Sequence, residues 1–236
     1  MHEIALRRRE PVAEGTYAFH FDKPAGFLHQ AGQNAIFSLI EPRETDAAGP
    51  SRPFTIASAP HERELMIATR MRDSAFKRTL AALPLGAKLR IEGPGGVMVL
   101  HEDESRPAVF LAGGIGITPF LAMARDAAAR LLRHRIVLFY SNRRPEHAAF
   151  RTELKHMQNR NFRLVATMTE AHKSSRPWPG ETRRIARELL AQHVPDLRAP
   201  LYYFAGPPAM TMAMQKMLTD LGVREDDMRS EEFYGY

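Results

Sequence analysis

From Pro107 to Ala124 the chain carries no charged side chain, yet Gly113, Gly114, Gly116 and Pro119 fall inside the window. A lipid-exposed helix does not tolerate so many breakers, so no membrane span is expected here. The window reads instead as a buried strand, "AVFLA", a glycine turn, and a helix opening at Thr118–Pro119. Glycines let backbone amides approach a diphosphate closely, and a helix N-terminus adds a favourable dipole. Thr118 is expected to cap the helix, and Pro119 suits its first turn. A tight strand-to-helix turn without a ligand would use the same residues.

Around this window the pattern changes character. Up to residue 103 the chain is a series of short strand-like runs, "EIALRRRE", "TYAFHF", "NAIFSLI", "RPFTIA", "ELMIATRM" and "KLRIEG". Glycine- and proline-bearing turns separate them, as in an antiparallel barrel or sandwich. One helix interrupts, "SAFKRTLAAL", with Ser74 at its N-cap. After the charged connector "HEDESRP", apolar strands alternate with helical stretches, "HAAFRTELKHMQ", "TRRIARELLAQH" and "PAMTMAMQKMLTDLG" among them. That alternation predicts an α/β domain built on a parallel sheet. The expected division is a β-barrel over 1–103 and an α/β domain over 104–236.

Composition removes several classes of chemistry. The 236 residues include no cysteine, which excludes disulfides, thiolate metal sites and cysteine-ligated iron–sulfur clusters within this chain. It suits a reducing, cytoplasmic setting. None of the ten histidines has another three or four residues away, so no metal site is expected, and no GxSxG elbow is present. The formal charge of +6 favours acidic partners or general solubility. The basic run at 7–9 is too short for a nucleic-acid arm, and no interleaved aromatic and basic strand pattern is found. "MHEIALRRRE" has charges where a signal peptide needs an apolar core.

Two further stretches share the strand-to-turn character of the first. "SRPFTIAS" places Arg52, Phe54 and Thr55 on one strand, where alternation separates Thr55 from the other two unless the strand lies edge-on to a ligand. "YYFAGPPAM" ends a buried strand at Gly206-Pro207-Pro208 and starts a helix, the position where open α/β sheets bind ligands. In their order along the chain, "RPFT", "GGIGITP", "AGPPAM" and the terminal "EEFYGY" resemble the motifs of the ferredoxin–NADP reductase superfamily. "GFLHQAGQNAIFSL" is similar to that family's Gly-Gln strand entry. The resemblance spans residues 52 to 236.

The resemblance implies a flavin on the barrel, FAD rather than FMN, and NADH or NADPH on the α/β half. Arg52 would contact the flavin phosphates, with Pro53 and Phe54 along the ring system or its chain. Thr55 would hydrogen-bond near the ring nitrogen that accepts hydride. Thr69, Arg70 and Met71 would border the ribityl and phosphate, and Ser74 would meet the diphosphate. The glycine pair that often precedes this serine in relatives is replaced by "RMRDS". Gly113, Gly114, Gly116, Thr118 and Pro119 would hold the nucleotide diphosphate. Ser141 and Arg143 would face the adenosine, and Gly206, Pro207 and Met210 would border the nicotinamide. Ala205 stands where relatives often carry a cysteine. Glu170 would repel a 2′-phosphate, which favours NADH, although Lys173 and Arg176 lie close behind.

The implied activity is hydride transfer from NAD(P)H to bound flavin, with electrons passed on to an external acceptor. An acidic ferredoxin or flavodoxin suits the positive charge. A free flavin reductase, the reductase component of an oxygenase and a non-catalytic electron-transfer subunit are the alternatives. The tail would cover the flavin ring, with Glu231 and Phe233 in the family's Glu-x-aromatic register and Tyr236 as the alternative ring. A Phe233 that merely closes the sheet is the plainer reading.

Overall fold

Residues 1–233 are described by the computed structural model. Six short strands with alternating buried side chains form an antiparallel sheet: β1 (His2–Ala13), β2 (Thr16–Asp22), β3 (Asn34–Leu39), β4 (Ser51–Thr55), β5 (Glu64–Arg70) and β6 (Lys88–Gly95). Their order is β4-β3-β6-β1-β2-β5. Inward-facing Ile4, Leu6, Phe19, Phe21, Phe37, Leu65, Ile67, Leu89 and Ile91 make one core, closed by Phe76 and Leu80 of α1 (Ala75–Ala82). Each such side chain contributes about 1.5–3 kcal/mol on burial. As expected, Ser74 caps α1: its side chain accepts from the Lys77 amide at 3.3 Å.

The sheet curls until its two end strands meet. Just beyond β4, the Ala57 amide donates to the Met66 carbonyl at 2.7 Å, and Ser58 Oγ accepts from the Met66 amide at 3.0 Å. These bonds staple β4 to β5 at one end. No ladder pairs β4 with β5 toward the other end.

The second sheet is wholly parallel, in the order β11-β10-β7-β8-β9. Its strands are β7 (Ala108–Gly113), β8 (Ile136–Asn142), β9 (Phe162–Met168), β10 (Leu201–Gly206) and β11 (Met228–Glu232). Every residue of β7 and β10 is buried, which explains their unbroken apolar runs. Helices α2 (Thr118–Ala129), α3 (Arg151–His156), α4 (Arg187–Ala191) and α5 (Pro208–Asp220) connect the strands. The chain thus folds as a barrel-like antiparallel sheet followed by a parallel α/β sheet, and it crosses between them over residues 96–107.

Three local expectations are corrected. The helices expected in "HAAFRTELKHMQ" and "TRRIARELLAQH" are much shorter. Phe150 takes a left-handed conformation that starts α3 only at Arg151. Glu181 and Arg183 lie along the open edge of β9, where the Glu181 carbonyl accepts from the Met168 amide at 2.9 Å and the Arg183 carbonyl accepts from Thr167 Oγ1. Strand-edge satisfaction wins over helix propensity there. Thr118 does not cap α2. A 3₁₀ turn at Gly114–Ile117 runs straight into the helix, and the Thr118 hydroxyl donates to the Ile115 carbonyl at 3.1 Å.

The two sheets share one apolar core, in which Ala18, Ala57, Met66 and Met98 of the first half pack with Phe110, Phe120 and Leu121 of the second. Beside that seam Arg125 of α2 donates to both carboxylate oxygens of Glu153 of α3, within the second half, at 2.7 and 3.0 Å. Its remaining nitrogen reaches Glu62 at 3.3 Å and the Ala57 carbonyl at 3.4 Å. Such a bidentate pair also fixes geometry. Replacing Arg125 with Met is expected to lower the unfolding free energy by about 1–3 kcal/mol in urea titrations. An unchanged midpoint would mean that the seam does not depend on this arginine.

Candidate functional site

Where β4 and β5 part, a cavity of about 480 Å³ opens. Arg52, Pro53, Phe54 and Thr55 of β4 form one wall, and Ala68, Thr69 and Arg70 of β5 form the facing wall. Ser74 and Lys77 close one end, while Ile115, Glu231, Glu232 and Phe233 reach in from the parallel sheet. Alternation alone would send Thr55 away from Arg52 and Phe54. All three border the cavity because β4 is an end strand and lies edge-on to it.

The register of β3 and β4 sets Asn34 directly opposite Thr55. Opposed residues of an antiparallel pair share a face. The Asn34 amide donates to Glu231 Oε1 at 2.9 Å, so this face also carries a hydrogen bond between the two sheets. Thr55 Oγ1 and Glu231 Oε2 are both buried and have no hydrogen-bond partner among the described residues. An orphaned hydroxyl and an orphaned carboxyl oxygen, both at the border of one cavity, fit a ligand with its own donors and acceptors. Burial pushes the Glu231 carboxyl above the usual range, and the Asn34 contact pulls the other way.

The opposite end is basic. Arg52, Arg70, Arg72 and Lys77 line it, with Asp73 as their neighbour. Lys77 Nζ donates to the Arg70 carbonyl at 2.8 Å. Burial, reinforced by Arg72 and Arg52, depresses the Lys77 ammonium. Arg52 is held by Asp46, whose Oδ1 accepts from its Nη2 at 2.6 Å.

On the other sheet, the carboxyl ends of β7 and β10 meet beside the cavity. Gly114 has φ +52°, a left-handed conformation that turns the chain from β7 into the 3₁₀ turn. Gly116 serves close packing: a Cβ there would overlap the Ala205 carbonyl and lie 2.7 Å from the Gly206 amide. Gly113 and Gly206 face each other, and Pro207 and Met210 fill the space beside Gly113. These glycines therefore bring two strand ends together, a role separate from any close approach to phosphate. The Gly206 carbonyl in turn accepts from the Phe233 amide at 3.0 Å and ties the tail to the same corner.

Some expected residues lie apart from the cavity. Met71 packs into the barrel core, and its amide donates to Gly15 at 2.7 Å. Thr118 and Pro119 are buried beneath the loop as part of α2 rather than exposed on it. Ser141 is half-buried near the end of β8, and Arg143 is exposed just beyond it. Tyr236 lies outside the described residues. Asn34 and Asp46 are not singled out by the sequence, although Asn34 lies within the Gly-Gln strand entry: each acts through a tertiary contact. The strand β11 is not singled out either, because "MRSEE" lacks apolar alternation and is held by its backbone ladder to β10.

Among known proteins, the family model of the oxidoreductase NAD-binding domain matches residues 110–216. The glycine betaine monooxygenase reductase subunit of Chromohalobacter salexigens is 27% identical over 223 residues, 92% of this chain and 60% of that protein. One component of the Na(+)-translocating NADH-quinone reductase of Pseudomonas aeruginosa is 31% identical over 156 residues, 64% of this chain and 38% of that component. The chain thus spans less than two thirds of the length of either relative. A ferredoxin NADP+ reductase from Neisseria gonorrhoeae, solved with bound FAD and NADP, superposes with a TM-score of 0.81 at 19% identity, covering 98% of both chains. At that identity the likeness is one of fold.

A raised Glu231 pKa has a definite consequence for stability. Where the folded protein keeps a proton that the unfolded chain has lost, stability falls as pH rises. Glu231→Gln removes that penalty. Its melting temperature is expected to gain on the wild type as pH climbs from about 4.5 to 7.5 in thermal denaturation. A constant difference across that range would show that Glu231 ionises normally.

Proposed function

We propose that this chain, whose two-domain fold and NAD-binding domain are those of the ferredoxin–NADP reductase superfamily, is a flavin-dependent NAD(P)H reductase. The carrying observation is the unsatisfied Thr55 hydroxyl on a cavity walled by both sheets. The barrel is the flavin-binding half and the α/β unit the NAD(P)-binding half.

Bound in the cavity, FAD would supply hydride acceptance and onward electron transfer, chemistry no side chain here provides. The protein's part is binding, orientation and exclusion of water. Thr55, whose hydroxyl has no partner among the described residues, would donate to the flavin ring, and Phe54 and Phe233 would supply apolar surface to it. Arg52, Thr69, Arg70 and Ser74 hold the ribityl and phosphate end, which the basic cluster favours. Glu231, whose carboxyl burial pushes above its ordinary range and which Asn34 orients, borders the same cavity as Thr55. The corner of Gly113, Gly114, Gly116, Gly206, Pro207 and Met210 receives the nicotinamide and diphosphate of NAD(P)H, and Ser141 and Arg143 border the adenosine. No thiol stands at Ala205, so the hydride step relies on positioning, which supplies up to about 7–11 kcal/mol in favourable systems.

The acceptor of the electrons would be a separate acidic electron-transfer protein, a ferredoxin or flavodoxin, for which the charge of +6 is suited. The monooxygenase reductase relative favours a second reading, in which the acceptor is an oxygenase component. The cysteine-free composition suits a reducing, cytoplasmic setting. Among the described residues no helix is long and apolar enough to cross a membrane.

Anaerobic titration of the FAD-loaded protein tests the reading. NADH is expected to bleach the flavin, and NADPH to do so less readily because Glu170 lies after β9. Thr55→Val is expected to slow that bleaching about 10–100-fold, while leaving the flavin-free protein as stable or about 1 kcal/mol more stable, since the hydroxyl has no partner to lose. A protein that takes up no flavin, or a flavin that neither nucleotide bleaches, contradicts the proposal. Reduction of an acidic ferredoxin should weaken with salt. A rate insensitive to salt, and matched by free riboflavin as acceptor, would argue for a general flavin reductase.

A further inference from the structure

Arg52, at the basic end of the cavity, is already paired with an anion of the protein's own. Asp46 lies on the exposed connection between β3 and β4, and its carboxylate bridges two groups of the kind that bind phosphate. Oδ1 accepts from Arg52 Nη2 at 2.6 Å and from the Ala48 amide at 3.1 Å. Oδ2 accepts from the Ala75 amide at 3.2 Å, the first residue of the eight-residue helix α1. A guanidinium together with a helix N-terminal amide is an anion site by charge and dipole. Arg52 is meanwhile folded back onto its own loop, where Nη1 donates to the carbonyls of Ala48, Gly49 and Ser51 at 2.7–2.9 Å.

We propose, building on the flavin reading above, that Asp46 is an internal stand-in for phosphate: it occupies the flavin's phosphate subsite in the unloaded protein and is displaced when a phosphorylated flavin binds. The same residue then sets how tightly the chain retains its cofactor.

Three observations favour displacement over permanent residence. A flavin phosphate at Arg52 and the α1 amide would meet the Asp46 charge at hydrogen-bond range, and like charges so close repel. The connection is held down by polar bonds, Asp46 itself and the Glu44–Arg78 pair at 2.7 and 3.0 Å, while its residues 41–49 are exposed or half-buried. Segments secured that way open at low cost. Arg52, Arg70, Arg72 and Lys77 also outnumber Asp73, the carboxylate that lines the same end of the cavity, so a second carboxylate stabilises the empty state.

Flavin-free protein is titrated with FAD, FMN and riboflavin by quenching of flavin fluorescence, for the wild type, Asp46→Asn and Asp46→Ala. Both variants are expected to bind FAD and FMN roughly tenfold more tightly, with riboflavin, which has no phosphate, unchanged. Inorganic pyrophosphate should raise the melting temperature of Asp46→Asn more than that of the wild type. Equal or weaker binding of FAD and FMN by both variants overturns the proposal, because a carboxylate that merely orients Arg52 would weaken binding on removal. A gain shared equally by riboflavin also overturns it. If no flavin binds any of the three proteins, the flavin reading fails, and pyrophosphate alone decides for Asp46: a larger shift in Asp46→Asn supports the anion site, and equal shifts refute it.

Discussion

An antiparallel sheet that curls toward closure has to satisfy its two end strands. This one does so at one end only. The Ala57–Met66 and Ser58–Met66 hydrogen bonds staple the end of β4 to β5, while Ser51–Thr55 has no ladder to β5. Unpaired strand edges are ordinarily blunted or covered. Here the gap becomes a cavity, and the parallel sheet supplies the missing wall through Ile115, Glu231 and Phe233. The site therefore belongs to neither half alone. Its polar atoms come from the barrel at Thr55 and Asn34 and from the α/β unit at Glu231.

What keeps the two halves in register is a graded set of contacts. A shared apolar core holds the area, Arg125 of α2 reaches Glu62 of the first half, and Asn34 reaches Glu231 at the cavity itself. The glycines of the second half work at the same level. Gly116 leaves room for the Ala205 carbonyl, and Gly113 meets Gly206, so the ends of β7 and β10 close up. That closeness lets the Gly206 carbonyl hold the Phe233 amide and directs the tail toward the cavity. Backbone packing, more than any single side chain, aims the aromatic residue.

Much of this is legible from residues alone. Strand alternation in the first half and unbroken apolar runs in β7 and β10 report burial on one face or on both. Ser74 announces its helix because an N-cap is a local interaction. Where sequence and structure part, a distant contact decides. The segment before α4 pairs with the edge of β9 instead of coiling, and β11 takes its strand form from β10. The roles of Asn34 and Asp46 carry no signal in sequence, since they come from partners 197 and 29 residues away.

The central claim is that the gap between β4 and β5, walled by both sheets, is the flavin site. A crystal structure of the protein grown with FAD tests it most directly. The ring system is predicted to lie in this cavity, with Thr55 Oγ1 within hydrogen-bond distance of a ring nitrogen and with Glu231 and Phe233 on the same cavity wall as here. FAD bound elsewhere on the chain, with Thr55 Oγ1 still lacking a partner, would contradict it.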